Sequence, residues 1–427
     1  MNIFILTAGS RGDVQPYVAL GKGLKEAGHT VTVCTSASFE PFITAHGLNY
    51  GYMNNAFIEL VDSQAGREAM ESGGTFGLIK SMLSLYKRSK GILQEMLRDS
   101  WKAAQAARPD LIVFHPKALG GTSIAEKLNI PAVLALPVPL LVPTAEFVAV
   151  GFPDLKLGGW FNRLSYAVVN KGYHSYDSVI NEFRQQTLGL EKMPKSISPI
   201  QMANGQPLTV LHAHSRFVWP RPDDWPETAH VTGYWFLDHE AGWQPPDDLL
   251  AFLESGEAPV YVGFGSMAGR NPKRVTKLVV EALQKANARG ILATGWGGLD
   301  ASDLPETIFR LDSAPHDWLF PHMSAVVHHG GAGTTAAGLR AGRPTVICPY
   351  MIDQPYWGER VYALGAGSKP IPQKKLTAEN LAEAIREVTT NLEIRQNAER
   401  LGQKIREENG IANATAVIER LAREWSQ

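Results

Sequence analysis

Two cysteines in 427 residues, Cys34 and Cys348, leave no material for a disulfide framework or a cysteine-built metal site. Each lies in a β-like apolar run, and both read as reduced, buried thiols. An excess of either charge is missing too. Lys+Arg number 41 against Asp+Glu 42, which removes the basic footprint of a dedicated nucleic-acid binder. No apolar run is long enough to span a bilayer: the richest, Ile130 to Pro143, is short and broken by four prolines. The GxxxxGK[ST] cradle of ATPases and GTPases is absent. So is any Asp-x-Asp triplet that would hold a metal-bound diphosphate, and no metal site is expected. The start, MNIFILTAGS, lacks a basic n-region and runs straight into strand-like sequence, so the expected location is the cytoplasm.

What is present is a repeated alternation of apolar runs and amphipathic stretches. NIFILTAG, a helical pattern from Pro16 to Ala27, TVTVCTS, DLIVFHP, a helix near Thr122 to Leu128 and IPAVLAL predict a parallel sheet covered on both faces. From about Trp219 the texture turns to Pro, Trp and Asp without periodicity. The alternation then resumes with APVYVGFGSM, a helix from Pro272 to Ala288, GILATGW, SAVVHHG, a helix from Thr334 to Ala341, PTVICPY and a helix after Gln354. The length is that of two domains of roughly 200 residues. The expected fold class is α/β with two doubly wound, Rossmann-like domains. Residues 1–218 form the first domain, 219–250 a linker, 251–390 the second domain, and 391–427 helices packing across both. Ligands of open α/β sheets bind beyond the carboxyl ends of the strands, so an interdomain cleft is expected to hold them.

The stretch HHGGAGTTAAGLRAG, His328 to Gly342, joins a strand to a helix through glycines. That arrangement aims backbone N–H groups and the positive end of a helix dipole at one spot, where a phosphate is favoured. Gly330, Gly331 and Gly333 let the backbone come close, and Thr334 and Thr335 add hydroxyl donors. Strand alternation turns His329 toward the anion and His328 away from it. A second glycine turn, VGFGSMAG, places Gly265 and Ser266 as the other lip. Without a metal, the helix dipole, His329 and the threonines would stabilise a leaving diphosphate.

TAGSRGDVQPYVALGKGL, APHDWLFP, HHGGAGTTAAGLRAG and DQPYWGERV together resemble the UDP-sugar-dependent glycosyltransferases of the two-domain GT-B type. The resemblance is closest to the sterol glucosyltransferase branch and extends to antibiotic glycosyltransferases; it is weakest over Glu146 to Gly205 and the linker. It implies a GT-B fold and a metal-independent inverting transfer of a sugar, glucose from UDP-glucose, with no cofactor beyond the donor. The family's diphosphate histidine falls on His329, and its acidic-Gln pair for donor-sugar hydroxyls on Asp353 and Gln354. The nucleobase turn falls on DSAPHDWLF, with backbone contacts around Ala314 to His316 and Trp318 as packing. Where plant members stack uracil on a Trp this chain has Ser313, and the plant ribose-binding Glu falls on Ala337.

The family keeps its base at the end of the first strand, which here is Asp13 in GSRGDVQP; plant members have His there. A carboxylate of reference pKa near ~4 accepts the proton only as the new bond forms. Asp13 also suits an N-terminal helix position, and Arg11 a salt bridge of the loop. His115, at the end of another strand, stays outside the catalytic set. Pro139, Leu140 and Leu141 of LPVPLLVP, followed by Phe147 and Phe152, are expected to line an apolar acceptor pocket, with Trp160 and Phe161 as continuation or core. The acceptor class is a sterol, terpenoid or phenolic aglycone. Other readings are a transferase using a dTDP- or other UDP-sugar to make an antibiotic glycoside or glycolipid, and a catalytically silent nucleotide-sugar binder. A Rossmann dehydrogenase has only one imperfect GxGxxA and no acidic ribose ligand. The expected state is a monomer or homodimer, with peripheral membrane contact at a lipid acceptor's surface as an option.

Overall fold

The computed structural model describes residues 1–62, 75–240, 242–265, 272–294 and 304–425. The chain forms two compact units, Met1–Leu237 with Asn409–Gln427, and Asp238–Glu408. Each is built on its own parallel sheet, as the uninterrupted apolar strands require.

In the first unit the strands are β1 (Asn2–Leu6), β2 (Thr30–Ser36), β3 (Asn49–Met53), β4 (Leu111–Phe114), β5 (Ala132–Leu136), β6 (Thr209–His212) and β7 (Ala229–Val231). They are ordered β3-β2-β1-β4-β5-β6-β7. Alternate residues feed two cores: Phe4, Leu6, Ile112, Phe114, Leu134 and Leu136 on one face, Ile3, Ile5, Leu111, Val113 and Val133 on the other. The helices that cover them include α1 (Arg11–Glu26), α2 (Thr75–Ala107), α3 (Gly121–Leu128) and α4 (Gly159–Tyr173). Helix α1 begins five residues before the expected Pro16, because Ser10 and Asp13 close its first turn as a capping box.

In the second unit β8 (Val260–Gly263), β9 (Gly290–Ala293), β10 (Ile308–Leu311), β11 (Ala325–His328) and β12 (Thr345–Ile347) are ordered β10-β9-β8-β11-β12. Helices α5 (Pro272–Lys285), α6 (Ala332–Arg340), α7 (Gln354–Ala363), α8 (Ala378–Thr390) and α9 (Leu392–Glu407) pack around it. The last helix, α10 (Gly410–Trp425), belongs to the first unit, where Ala414, Ile418 and Ala422 join the core beneath β1 and β4. It lies against α1 at Gly23, where any side chain would collide with Ile411.

The tryptophan- and proline-rich stretch is divided between the units. Trp225, β7 and Trp235 are built into the first. From Asp238 the chain belongs to the second, where Trp243 packs on Trp318 and Asp238 pairs with Arg340.

Each sheet has one place where the strand order reverses: between β1 and β4 in the first, between β8 and β11 in the second. Loops leaving two such strands diverge to opposite faces and open a crevice at their carboxyl ends.

Candidate active site

At the β1/β4 crevice the chain leaves β1 through Thr7–Gly9 and enters α1. Gly9 has φ 132°, and a side chain there would strike the Asp13 carboxylate, so only glycine fits. Thr7 Oγ1 donates to the Asp13 carbonyl (2.7 Å), tying the loop to the first turn. Asp13 Oδ2 accepts from the Ser10 N–H (2.8 Å) and Oγ (3.0 Å). From the β4 loop, Lys117 Nζ reaches Asp13 Oδ1 at 2.7 Å, and His115 Nε2 lies 3.5 Å from the same oxygen. Burial is the largest single influence on this carboxyl and pushes it up. Lys117, His115 and the Ser10 amide together outweigh it and hold Asp13 below the usual carboxylate range.

His115 Nδ1 accepts the Lys117 N–H (3.0 Å), which leaves the proton on Nε2, facing Asp13. Burial lowers this imidazole to about 4, so it is neutral and can donate to Asp13 but not take a proton from it. Its ring is fixed edge-on by Tyr17, whose hydroxyl donates to the Ala135 carbonyl. The sequence reading missed Lys117. Its only local signal is a basic residue two places after a strand-end histidine, and its partner lies 104 residues away. Arg11 lies over the Phe42 ring and donates to Gln15.

The apolar run LPVPLLVP leaves β5, the neighbour of β4, at the same sheet edge. Pro139 and Leu141 are buried, Leu141 within the core; Leu140, Phe147 and Phe152 are half-buried. Phe147 packs edge-on against Trp219 (4.8 Å), Trp225 and Tyr166. Of the two aromatics placed as a continuation, Phe161 is half-buried and Trp160 is 65% exposed.

At the β8/β11 crevice the expected alternation of the histidines is seen. His328 is fully buried and its Nδ1 accepts the Gly330 N–H (2.9 Å), which shapes the turn. His329 is half-buried on the other side, against Gly331 and Gly265. A Cβ at Gly331 would come 2.6 Å from His329 Nε2, and one at Gly265 3.5 Å from Cε1. Burial lowers His329 to about 4, the Gly263 carbonyl acting in the opposite direction, so the ring is neutral. Gly331 caps α6 with no side-chain acceptor, leaving the first N–H groups of the helix for a ligand. Gly333 is exposed and Thr334 half-buried there; Thr335 is buried, its hydroxyl donating to the Gly331 carbonyl (2.9 Å). Ser266 lies outside the described residues.

Gly330 (φ 92°) approaches the Gln354 backbone so closely that a Cβ would lie 3.1 Å from its carbonyl oxygen, bringing the glycine turn beside Asp353 and Gln354. Gln354 Oε1 accepts the Tyr350 and Met351 N–H groups (2.7 and 3.2 Å), leaving its amide N–H donors as the part that can address a sugar. Asp353 Oδ2 accepts from Trp357 Nε1 (3.0 Å). Just before them Ile352, β-branched and 53% exposed, has φ 59°, a conformation such residues avoid. Ala314 and His316 follow β10 at the same sheet edge, with His316 stacked on Phe320 at 4.3 Å. Trp318 packs between Trp243 and His322, and Ser313 is exposed. Among the described residues, no group of three or more His, Cys, Asp or Glu is placed to hold a metal.

Two family models match the chain: the glycosyltransferase family 28 N-terminal domain over residues 3–143, and the erythromycin biosynthesis protein CIII-like C-terminal domain over 279–420. A sterol 3-beta-glucosyltransferase of Arabidopsis thaliana is 35% identical over 98% of this chain and 68% of its own. One of Pichia angusta is 38% identical over 97% of this chain; that stretch is 33% of the Pichia protein, and the corresponding share of an Aspergillus terreus relative is 30%. The fold matches the glycosyltransferase of kitacinnamycin (TM-score 0.71, 22% identity, 98% of both chains) and the calicheamicin glycosyltransferase CalG4 (TM-score 0.70, 20% identity, 99% and 98%).

Proposed function

This chain belongs to the sterol 3-beta-glucosyltransferase family of GT-B glycosyltransferases, and on that premise we propose that it transfers glucose from UDP-glucose to a hydroxyl of a sterol-like lipophilic acceptor. The observation that carries this reading is Asp13: an ionised carboxylate at the switch point of the first sheet, one strand from an apolar run. Transfer inverts the anomeric carbon. The acceptor oxygen forms the new C–O bond as the bond to the β-phosphate oxygen breaks, and its proton passes to Asp13. Lys117 holds Oδ1, with His115 3.5 Å from it, and Ser10 holds Oδ2, so the carboxylate is fixed and ionised before the acceptor arrives.

On the donor side, the N-terminus of α6, the neutral His329 and Thr334 take the charge of the departing diphosphate. A divalent metal is not needed in this scheme. Gly265 and the Ala314–His316 turn sit at the same edge for the nucleoside, and Asp353 with the Gln354 amide for sugar hydroxyls. Ser313 and Ala337, small where plant members carry Trp and Glu, leave room for a dTDP-sugar as the second donor reading.

The test is UDP release from UDP-glucose in EDTA with sterols and phenolic aglycones, for the wild type and Asp13→Asn, with dTDP-glucose as the competing donor. Acceptor-dependent release lost in Asp13→Asn is expected. UDP binding without release for any acceptor would make the protein a binder, and failure to bind UDP would remove the donor site.

A further inference from the structure

Trp160, Leu164 and Val168 of α4 face solvent, and the helix is held through its other side. Asn162 donates to the Ala145 carbonyl (2.7 Å), and Ser165 Oγ accepts the Ala149 N–H (2.7 Å). The last residue of the helix, Tyr173, reaches a different loop: its hydroxyl donates to the Pro116 carbonyl at 2.6 Å. Pro116 is buried, so its carbonyl depends on a protein donor. Burial and the neighbouring Tyr176 push the Tyr173 hydroxyl up, so it stays protonated and donates.

The peptide unit joining Pro116 to Lys117 is therefore held at both ends. Its carbonyl accepts from Tyr173, and its N–H donates to His115 Nδ1 (3.0 Å). A bond from the Ala118 N–H to the His115 carbonyl (2.8 Å) closes the turn around it. Both contacts of this loop with Asp13 start from that plane. The N–H leaves the His115 proton on Nε2, 3.5 Å from Asp13 Oδ1, and the Lys117 side chain that begins there ends 2.7 Å from the same oxygen. The other titratable group beside Asp13, Tyr17, comes from α1; its hydroxyl donates to the Ala135 carbonyl and stays neutral.

We infer that Tyr173 is a positioning residue for the reaction proposed above: its hydroxyl fixes the peptide plane from which Lys117 and His115 address Asp13. Without that hydroxyl the plane can rotate, His115 Nδ1 loses its donor, and Lys117 swings away from Oδ1. The carboxylate then loses part of what keeps it ionised at low pH. Helix α4 thus joins two places, since the element that presents Asn162 and Ser165 to the segment 145–149 also sets the loop beside Asp13. The bearing on catalysis rests on Asp13 being the base, whereas the hold on Asp13 stands on the hydrogen bonds alone.

The experiment titrates the Asp13 carboxyl directly, by NMR of the full chain carrying isotope-labelled aspartate carboxyls, with Asp13→Asn identifying the signal. In Tyr173→Phe, which keeps the ring and removes the hydroxyl, the Asp13 midpoint should rise by at least about 0.5 in pH. The acid limb of kcat/KM should follow it. The rise should be smaller in a Lys117→Met background, because the two changes act through one group. Ser165→Ala, which removes bonds of α4 to Ala149 and Asn162, should lower the melting temperature and leave the midpoint in place. An unchanged midpoint in Tyr173→Phe, an equal rise in both backgrounds, or an equal rise in Ser165→Ala overturns the inference. So does wild-type protein whose isotope-labelled His115 carries its proton on Nδ1, a result that needs no variant. Movement of the midpoint in a chain that transfers no sugar contradicts only the proposed reaction; transfer with the midpoint fixed contradicts only this role of Tyr173.

Discussion

Three donors converge on the Asp13 carboxylate, the Ser10 amide and hydroxyl and Lys117, with His115 Nε2 3.5 Å away, and each of the four groups favours its charged form. In Lys117→Met one cation is gone, so Asp13 titrates at higher pH, and the acid limb of kcat/KM moves up with it. A pH profile superimposable on the wild type would show that Lys117 does not govern the base. Asp13→Asn should cost roughly 10²- to 10⁴-fold in kcat with little change in UDP affinity, read from steady-state rates and titration. The buried imidazoles set the acid side of stability. Burial lowers His115, His214 and His329 to about 4, against ~6.5 in an unfolded chain. Between those values the unfolded state binds more protons, so stability rises with pH across that window and is lost as pH falls from ~6.5 toward 4. Thermal melts from pH 7 to 4 should decline steadily, and His115→Asn should flatten part of the slope.

The donor site depends on turns that leave little room for side chains. At Gly331 the backbone has an ordinary φ of −62°, so Gly331→Ala strains no dihedral; its Cβ, however, meets His329 Nε2 and must displace the ring. The expected result is unchanged melting within ~0.5 kcal/mol and UDP binding weakened about tenfold, which calorimetry would measure. Ile352 is the reverse case. Its left-handed backbone is tolerated where it presents Asp353 and Gln354, so Ile352→Gly should raise stability by about 1 kcal/mol and also raise the KM for the donor as the turn loosens. A stability gain without a KM change would separate the strain from the sugar site.

Chain membership of the two units is discontinuous: the first closes only when residues 409–425 return to it. Truncation after Glu408 would uncover the face of the first core that Ala414, Ile418 and Ala422 fill, and a large-side-chain replacement at Gly23 would push α10 away from α1. Gly23→Val should therefore cost on the order of 1–3 kcal/mol. The truncated chain should melt at lower temperature or fail to fold, as seen by calorimetry, whereas a C-terminal segment belonging wholly to the second unit would spare the first.

The amino-acid sequence by itself determined the two parallel sheets, the glycine turn before α6, the opposed directions of His328 and His329, and the placing of Asp13 in the segment that follows β1. These follow from local rules: apolar runs of strand length, glycine where backbone must come close, alternation along a strand, and a capping residue before a helix. Only the tertiary structure decided that Lys117 and His115 meet Asp13, because strands distant in sequence become neighbours at the switch point. It alone assigned Trp219–Leu237 and α10 to the first unit, since an edge strand and a closing helix are defined by the surfaces they cover. It alone showed which face of α4 stays bare: periodicity marks an apolar stripe, but whether a core covers that stripe depends on packing contributed by the rest of the chain.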